Sequence, residues 1–408
     1  MSEKPVHLFA RTIRGLEWVA AAELERRFNV QIIDIQHREV RFHLNSLDRR
    51  LLNAGSVDDI FITCKIIRGL DHTRAALFIM AKSATSIDFP KAITLLRHIR
   101  KISKRPNFDI IASFLGRRNY NRYEIEDLIG EAIEKQTGWR YTPQRSDSAL
   151  PIELSFRIHL SGDEALIGMR LTKNPLHRRT YKIASRTGTL HPPLAFAMAM
   201  LSNLCKGHYV LDPFCGVGTI PIEALRVESE ICSFGVDVDN ESLLKAVSNA
   251  EAAKTPVKFL VGDAGQLPFA DGVIDRIISN PPWGQVVGAQ GKLVGGMFPF
   301  FIESKRLLSH TGRLMMLTNS VADHLRLIEA SGLKLLLQIP VSLFGSWPEI
   351  CLLTDSSRRE KGLFNLNSTF GPQLTKYWQR WPVIQKKIYM NQELKTNKNI
   401  ANVSFPQQ

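Results

Sequence analysis

The sequence predicts an α/β protein whose second half is a doubly wound, mostly parallel sheet with an antiparallel terminal hairpin, preceded by smaller α+β units. Three observations carry this. From about residue 191, strand-like runs alternate with helix-periodic ones, the order that parallel strands need for their crossovers. Before residue 171 strands and helices also alternate, but in shorter and less regular succession. The chain has 408 residues, 44% hydrophobic and 23% charged, enough to bury two or three cores.

Taken in order, residues 6–11 read as a strand, and Leu16, Val19, Ala20, Leu24 and Phe28 then recur at helical spacing before strand-like residues 30–35 and 39–44. A second unit follows, with a strand near 76–81, a helix at 89–99, a strand at 108–114, a helix at 125–136 and β-rich segments at 152–160 and 164–171. Residues 172–190 combine Pro175, a dense basic cluster and little apolar periodicity, which predicts a linker. The predicted units are therefore 1–65, 66–171, the linker 172–190, the sheet domain 191–357 and a basic extension 358–408. The last ~20 residues of that extension are expected to be poorly ordered.

Within 191–357 the alternation is regular: helix 193–204, strand 208–212, helix 219–227, strand 232–237, helix 241–253, strands 257–261 and 273–278, helix 298–308, strand 312–317 and helix 321–331. Apolar runs 333–341 and 349–354 flank the turn-rich LFGSWP at 343–348, which predicts the antiparallel pair. His191 and the pair Pro192-Pro193 fix the start of the first helix.

The net charge of +14 favours an anionic partner, and it is unevenly placed. Residues 1–190 carry 32 basic and 21 acidic side chains, whereas residues 205–357 carry 12 and 16. The basic half thus reads as a nucleic-acid-binding part and the slightly acidic region as a catalytic or ligand-binding part. Cys64, Cys205, Cys215, Cys232 and Cys351 show neither CxxC nor Cys/His metal spacing, so no metal site or disulfide framework is expected and a reducing, cytoplasmic setting fits. No basic leader with an apolar run, and no apolar run of the ~20 residues that span a bilayer, points to a membrane.

The chemistry lies at strand ends. Val210–Ala224 is a strand closing on Asp212, a turn with Gly216 and Gly218, and a helix starting near Thr219 whose free amides face a ligand. Pro221 stands where a dinucleotide fingerprint wants a third glycine or alanine, which favours a nucleoside over a pyrophosphate. Asp237 closes the next strand and can accept both hydroxyl hydrogens of a ribose; Asp239 reads as a helix N-cap. Asp263 closes the third, placed for an adenine amino group with the Ala264 amide nearby.

The fourth strand ends in Asn280-Pro281-Pro282-Trp283-Gly284. An exocyclic amine is a weak nucleophile because its lone pair is delocalised into the base, so a catalyst must hold its hydrogens and orient that lone pair. The Asn280 side-chain oxygen and the Pro281 carbonyl are two acceptors, held by prolines of restricted φ, and Trp283 offers a stacking face. Cys215 follows Phe214 rather than a proline, which assigns it to packing instead of nucleophilic attack on a base.

These residues resemble the class I S-adenosylmethionine-dependent methyltransferases, with their Rossmann-like domain, in the branch that methylates exocyclic amines through an [Asn/Asp]-Pro-Pro-aromatic motif. The resemblance implies S-adenosyl-L-methionine as cofactor, contacted by Asp212, Phe214, Cys215, Gly216, Gly218, Thr219, Asp237, Val238, Asp263, Ala264 and Asn280, with Asn280, Pro281, Pro282 and Trp283 as the catalytic set. Trp283 departs from the commoner phenylalanine or tyrosine.

In the basic half, Arg100, Lys101, Lys104 and Arg105 follow a helix, Arg117, Arg118, Tyr120 and Arg122 interleave cations with an aromatic, and Arg178 and Arg179 lie in the linker. Phosphate contacts beside stacking faces suit RNA ends. Residues about 70–171 resemble a THUMP RNA-binding domain, and residues 1–65 the ferredoxin-like domain that precedes it. THUMP followed by DPFCGxGT and an NPP-aromatic loop is similar to the tRNA guanine-N2 methyltransferases acting on nucleotide 6 of the acceptor stem, where the THUMP part holds the tRNA 3′ end. Related enzymes act on tRNA nucleotide 10 or ribosomal RNA, adenine-N6 methyltransferases share the NPP logic, and an inactive RNA-binding protein is the alternative of another class.

Overall fold

The computed structural model describes residues 5–146, 151–282, 291–357 and 372–380. Its first half begins with β1 (Val6–Thr12), α1 (Glu17–Phe28), β2 (Gln31–Gln36), β3 (Glu39–Leu44) and β4 (Val57–Ile67). It continues with α2 (Ala75–Ala84), α3 (Phe89–Ile99), β5 (Asn107–Phe114), α4 (Arg122–Thr137), β6 (Arg140–Tyr141), β7 (Leu154–Ser161) and β8 (Glu164–Arg170). All eight strands form one sheet, in the order β2-β3-β1-β4-β8-β7-β5-β6.

Two expectations change here. The boundary drawn between residues 65 and 66 falls inside β4, which is antiparallel to β1 on one edge and to β8 on the other. The two units therefore share a continuous sheet. β4 escapes a pattern search because its Asp59 is buried and paired with Arg170 at 2.5 Å, so a charged residue stands where burial would suggest an apolar one. The strand expected near 76–81 is instead α2: a short apolar run fits either state, and the buried residues Ala76, Leu77, Met80 and Ala84 follow a helical face.

The second half runs α5 (Pro192–Leu201), β9 (Tyr209–Asp212), α6 (Thr219–Val227), β10 (Cys232–Asp237), α7 (Asn240–Ala253), β11 (Lys258–Val261) and β12 (Ile274–Ser279). α8 (Phe298–Leu307), β13 (Leu308–Thr318), α9 (Leu325–Ala330), β14 (Leu333–Pro340) and β15 (Glu349–Asp355) complete it. The sheet order is β11-β10-β9-β12-β13-β15-β14. The first five are parallel and β15 is antiparallel to both its neighbours, as the two apolar runs required. Strand order reverses between β9 and β12, which opens a crevice at their C-terminal ends.

α5 joins the halves. All ten of its residues are buried, and a Cβ at Gly55 would lie 2.2 Å from the Phe196 ring, so the first half approaches this helix too closely for any side chain. The segment 172–190 is not a solvated linker: the Arg179 guanidinium donates to Gly55 O and to Glu223 of α6, and Tyr181 Oη donates to the same carboxylate at 2.7 Å. In the basic extension, residues 372–380 are helical and return to α1, with Trp378 edge-on to Trp18 at 5.1 Å and Lys376 bonded to Glu25 at 2.7 Å. The ~20 terminal residues expected to lack order lie outside the described residues. No helix among the described residues is long and apolar enough to cross a membrane.

Candidate active site

A cavity of about 550 Å³ opens at the C-terminal edge of the second sheet, over the β9–β12 reversal. Its lining includes Asp212, Phe214, Cys215, Gly216, Thr219, Asp237, Val238, Asp263, Ala264, Asn280, Pro281 and Pro282, which the sequence had placed there singly. Gly218, between the lining residues Val217 and Thr219, is not itself part of the lining, and Trp283 falls outside the described residues.

The glycine turn is locked from two sides. Gly218 N–H donates to Cys215 O at 2.8 Å, and Cys215 N–H donates to Val236 O of β10 at 3.0 Å. Gly218 has φ +81°, and a Cβ there would meet the Phe259 ring at 3.0 Å, so conformation and space both require glycine. Asp237 holds the same turn: its Oδ2 accepts from Gly216 N–H at 2.7 Å and its Oδ1 from Asp239 N–H at 3.0 Å. That fixes the carboxylate while leaving each oxygen a further lone pair for hydroxyl donors. Asp239 is the N-cap of α7, accepting from Glu241 N–H at 3.1 Å.

Asp212 ties β9 to β12, accepting from Ser279 Oγ at 2.8 Å and Phe214 N–H at 3.1 Å. Complete burial pushes its carboxyl up to about 7, because the charged form is stripped of water. Asp263 accepts Gly265 N–H at 2.8 Å and Lys292 N–H at 2.7 Å, so it also anchors the turn at 291–295. Burial raises the Cys215 thiol well above its usual range, which keeps it neutral and unreactive.

Three polar side-chain atoms in the lining lack hydrogen-bond partners among the described residues: Asn280 Oδ1, Thr219 Oγ1 and His191 Nδ1. A buried acceptor without a donor costs about 1–3 kcal/mol. An arriving N–H would recover that cost at Asn280.

Residues 186–191 also line the cavity, a contribution hidden by their linker-like composition. Buried Asn249 clips the segment to the glycine turn, its Nδ2 donating to Ala184 O at 3.0 Å and Val217 O at 2.9 Å. Phe344, from LFGSWP, lines the cavity too. His191 sits at the N-cap position of α5 and on the cavity wall, with Pro192 and Pro193 opening the helix. Folding brings His191 together with His177 and Asp58, potential ligand atoms all within 4.8 Å, although the sequence showed no metal spacing. Arg38 lies 3.5 Å from the same Asp58 carboxylate.

The basic residues divide. Lys101, Lys104, Arg105, Arg117, Arg122 and Arg178 are exposed. Arg100 is partly buried and caps Leu171 O at 3.0 Å and Glu153 O at 2.8 Å, while Arg118 donates to Asp71 O at 3.1 Å. Two expected RNA contacts are corrected. Tyr120 is 5% exposed, with its hydroxyl accepting from Arg118, and the Arg179 side chain is 5% exposed against Glu223. Neither can reach a bound strand. Tyr123, 42% exposed with the Arg122 and Arg145 guanidinium groups 4.7 and 5.2 Å from its ring centroid, is the accessible aromatic that the charge cluster concealed.

Residues 179–342 match the family model "UPF0020: RMKL-like, methyltransferase domain". The chain is 33% identical over 219 residues to a tRNA (guanine(6)-N2)-methyltransferase of Thermus thermophilus, covering 52% of this chain and 62% of that protein. It is 31% identical over 212 residues to the U6 snRNA (guanine-N(2))-methyltransferase THUMPD2 of Homo sapiens, covering 52% of this chain and 39% of that protein. The chain thus spans less than two thirds of the length of either relative. Among solved structures, TrmN from Thermus thermophilus superposes with a TM-score of 0.69 at 27% identity, covering 86% of this chain and 99% of that one.

Proposed function

We propose that this chain, whose residues 179–342 carry an RMKL-like methyltransferase domain, methylates the exocyclic N2 of a guanine in tRNA, at nucleotide 6 of the acceptor stem, using S-adenosylmethionine. The observation that carries the reading is Asn280 Oδ1, buried without a partner on the wall of the cavity whose glycine turn and Asp237 suit a nucleoside. The two relatives, a tRNA and a U6 snRNA guanine-N2 methyltransferase, support the guanine-N2 target, and the Thermus relative the tRNA position.

The lining fits that cofactor. Asp237 presents two fixed oxygens to ribose hydroxyls, the glycine turn admits a ligand against its backbone, and Thr219 Oγ1 offers an unused hydrogen-bonding group. Bound there, S-adenosylmethionine supplies an electrophilic methyl group on a good leaving group. The chain's own work is positioning. Asn280 Oδ1 and the Pro281 carbonyl accept the two amine hydrogens, which directs the nitrogen lone pair at the methyl carbon, and Trp283 stacks on the base. The apolar walls around Phe214, Leu293 and Leu317 exclude water from the transfer.

In this reading residues 1–171 hold RNA as a ferredoxin-like and THUMP pair built on one sheet, with Lys101, Lys104, Arg105, Arg117, Arg122 and Arg178 reaching phosphates. The free cysteines suit the cytoplasm. The test incubates the purified full chain with labelled S-adenosylmethionine and unmodified tRNA, small nuclear RNA and ribosomal RNA, then identifies the product nucleoside by mass spectrometry. N2-methylguanosine at tRNA nucleotide 6 is the expected product. Methyladenosine, or label confined to another RNA, overturns the proposal.

A further inference from the structure

LFGSWP does more than separate β14 from β15. Leu343 N–H donates to Ser346 O at 3.0 Å and Ser346 N–H to Leu343 O at 2.8 Å, closing a two-residue hairpin turn. Its central residues, Phe344 and Gly345, have φ +47° and +88°, the type I′ pattern. Glycine, asparagine and aspartate suit those positions; a bulky aromatic there is a strained choice. Phe344 is also 95% exposed, more than any other large hydrophobic side chain among the described residues. Backbone and solvent both disfavour phenylalanine here, and conflicts of that kind mark functional positions.

Its location says what the position is for. Because β15 is antiparallel to β13 and β14, the β14–β15 turn projects from the same sheet edge as the C-terminal ends of β9, β12 and β13. Phe344 lines the cavity that contains Asn280. In strand order Asp237 ends β10 on one side of Asn280, whereas the hairpin rises on the other. Phe344 therefore walls the compartment away from the ribose-binding acid.

The hairpin is braced from behind by the first half. Ser342 N–H donates to Arg14 O at 3.0 Å, the Arg14 guanidinium lies 4.6 Å from the Trp347 ring centroid, and a Cβ at Gly15 would meet Pro340 O at 2.4 Å. The root is fixed and the tip is left open.

We infer that Phe344 is a second aromatic face, additional to Trp283, on which the target purine stacks as it enters beside Asn280, with its hairpin held in place by the Arg14–Gly15 turn. The inference rests on the reading of this cavity as a base-methylating site. Stacking of a base on an aromatic side chain is sequence-tolerant and strong enough to hold an unpaired nucleotide.

The test compares full-length wild type with Phe344→Ala, Phe344→Leu, Phe344→Tyr and Phe344→Asn in steady-state methyl transfer to tRNA, with S-adenosylmethionine binding followed by calorimetry and unfolding by Tm. Phe344→Ala lowers kcat/KM for tRNA roughly tenfold to a hundredfold, and cofactor Kd stays within about twofold. Tyr restores transfer and Leu does not. Phe344→Asn relieves the left-handed strain, so its Tm is equal or higher while transfer falls. Undiminished transfer by Phe344→Ala, rescue by Leu equal to that by Tyr, or loss of cofactor affinity or Tm in step with activity each overturns the inference alone. A wild-type chain that methylates no RNA base overturns the function reading, and this inference with it.

Discussion

The two sheets use their polar residues in opposite ways. In the seven-stranded sheet the site's polar side chains stand at the ends of parallel strands and converge on one cavity, the acids Asp212 from β9 and Asp237 from β10 and the amide of Asn280 just past β12. In the eight-stranded sheet charged residues lie along the strands and neutralise one another, Arg11 with Glu39 at 3.1 Å, Arg41 with Glu164 at 2.7 Å and Arg170 with Asp59 at 2.5 Å. A parallel sheet gathers its strand ends at one edge, so a residue's place in the sequence discloses its role. A largely antiparallel sheet has no such edge, and charge counts there mix structural pairs with true surface.

The largest expected effect breaks the first side of that comparison. Asn280→Ala lowers kcat for methyl transfer by about a hundredfold or more while calorimetry still detects the cofactor, because the lost acceptor positions the amine rather than the nucleoside. Gly218→Ala forces a side chain into a φ of +81° against Phe259, and is expected to weaken S-adenosylmethionine binding at least tenfold and lower Tm.

On the second side, Arg179→Ala costs about 3 kcal/mol of stability by chemical denaturation, since buried Glu223 loses a partner, with little change in tRNA affinity. The exposed pair Lys104→Ala with Arg105→Ala does the reverse: Tm holds, while tRNA binding weakens and its salt dependence flattens by about two phosphate contacts. If Arg179→Ala lost RNA binding and kept stability, the division between the sheets would be wrong.

The smallest effect concerns pH. Burial keeps Asp212 protonated below about 7. A cationic ligand favours the carboxylate, so binding of S-adenosylmethionine releases a proton and affinity rises several-fold as pH climbs through about 7. S-adenosylhomocysteine, which lacks the sulfonium charge, shows a weaker trend, and Asp212→Asn flattens both, as calorimetry in buffers of different ionisation enthalpy would report.

Legibility followed the same division. The alternation from residue 191 onward, the strand-end acids and the terminal hairpin were all readable, because each is a local pattern. β4 was not, since its Asp59 is neutralised by Arg170, on a strand more than a hundred residues away. Tyr120 and Arg179 look like RNA contacts in sequence, yet Arg118 and Glu223 draw them inward. Residues 186–190 look like a linker, yet their neighbour Ala184 is clipped by Asn249, a pairing no local window contains. The strain at Phe344 became visible only once its φ and exposure were known together.

The most direct measurement compares wild type and Asn280→Ala on unmodified tRNA, with nucleoside mass spectrometry as the readout and cofactor binding measured in parallel. The account predicts N2-methylguanosine from the wild type, and cofactor binding with almost no product from the variant. Methylation of adenosine by the wild type, or a variant that forms N2-methylguanosine at the wild-type rate, contradicts it.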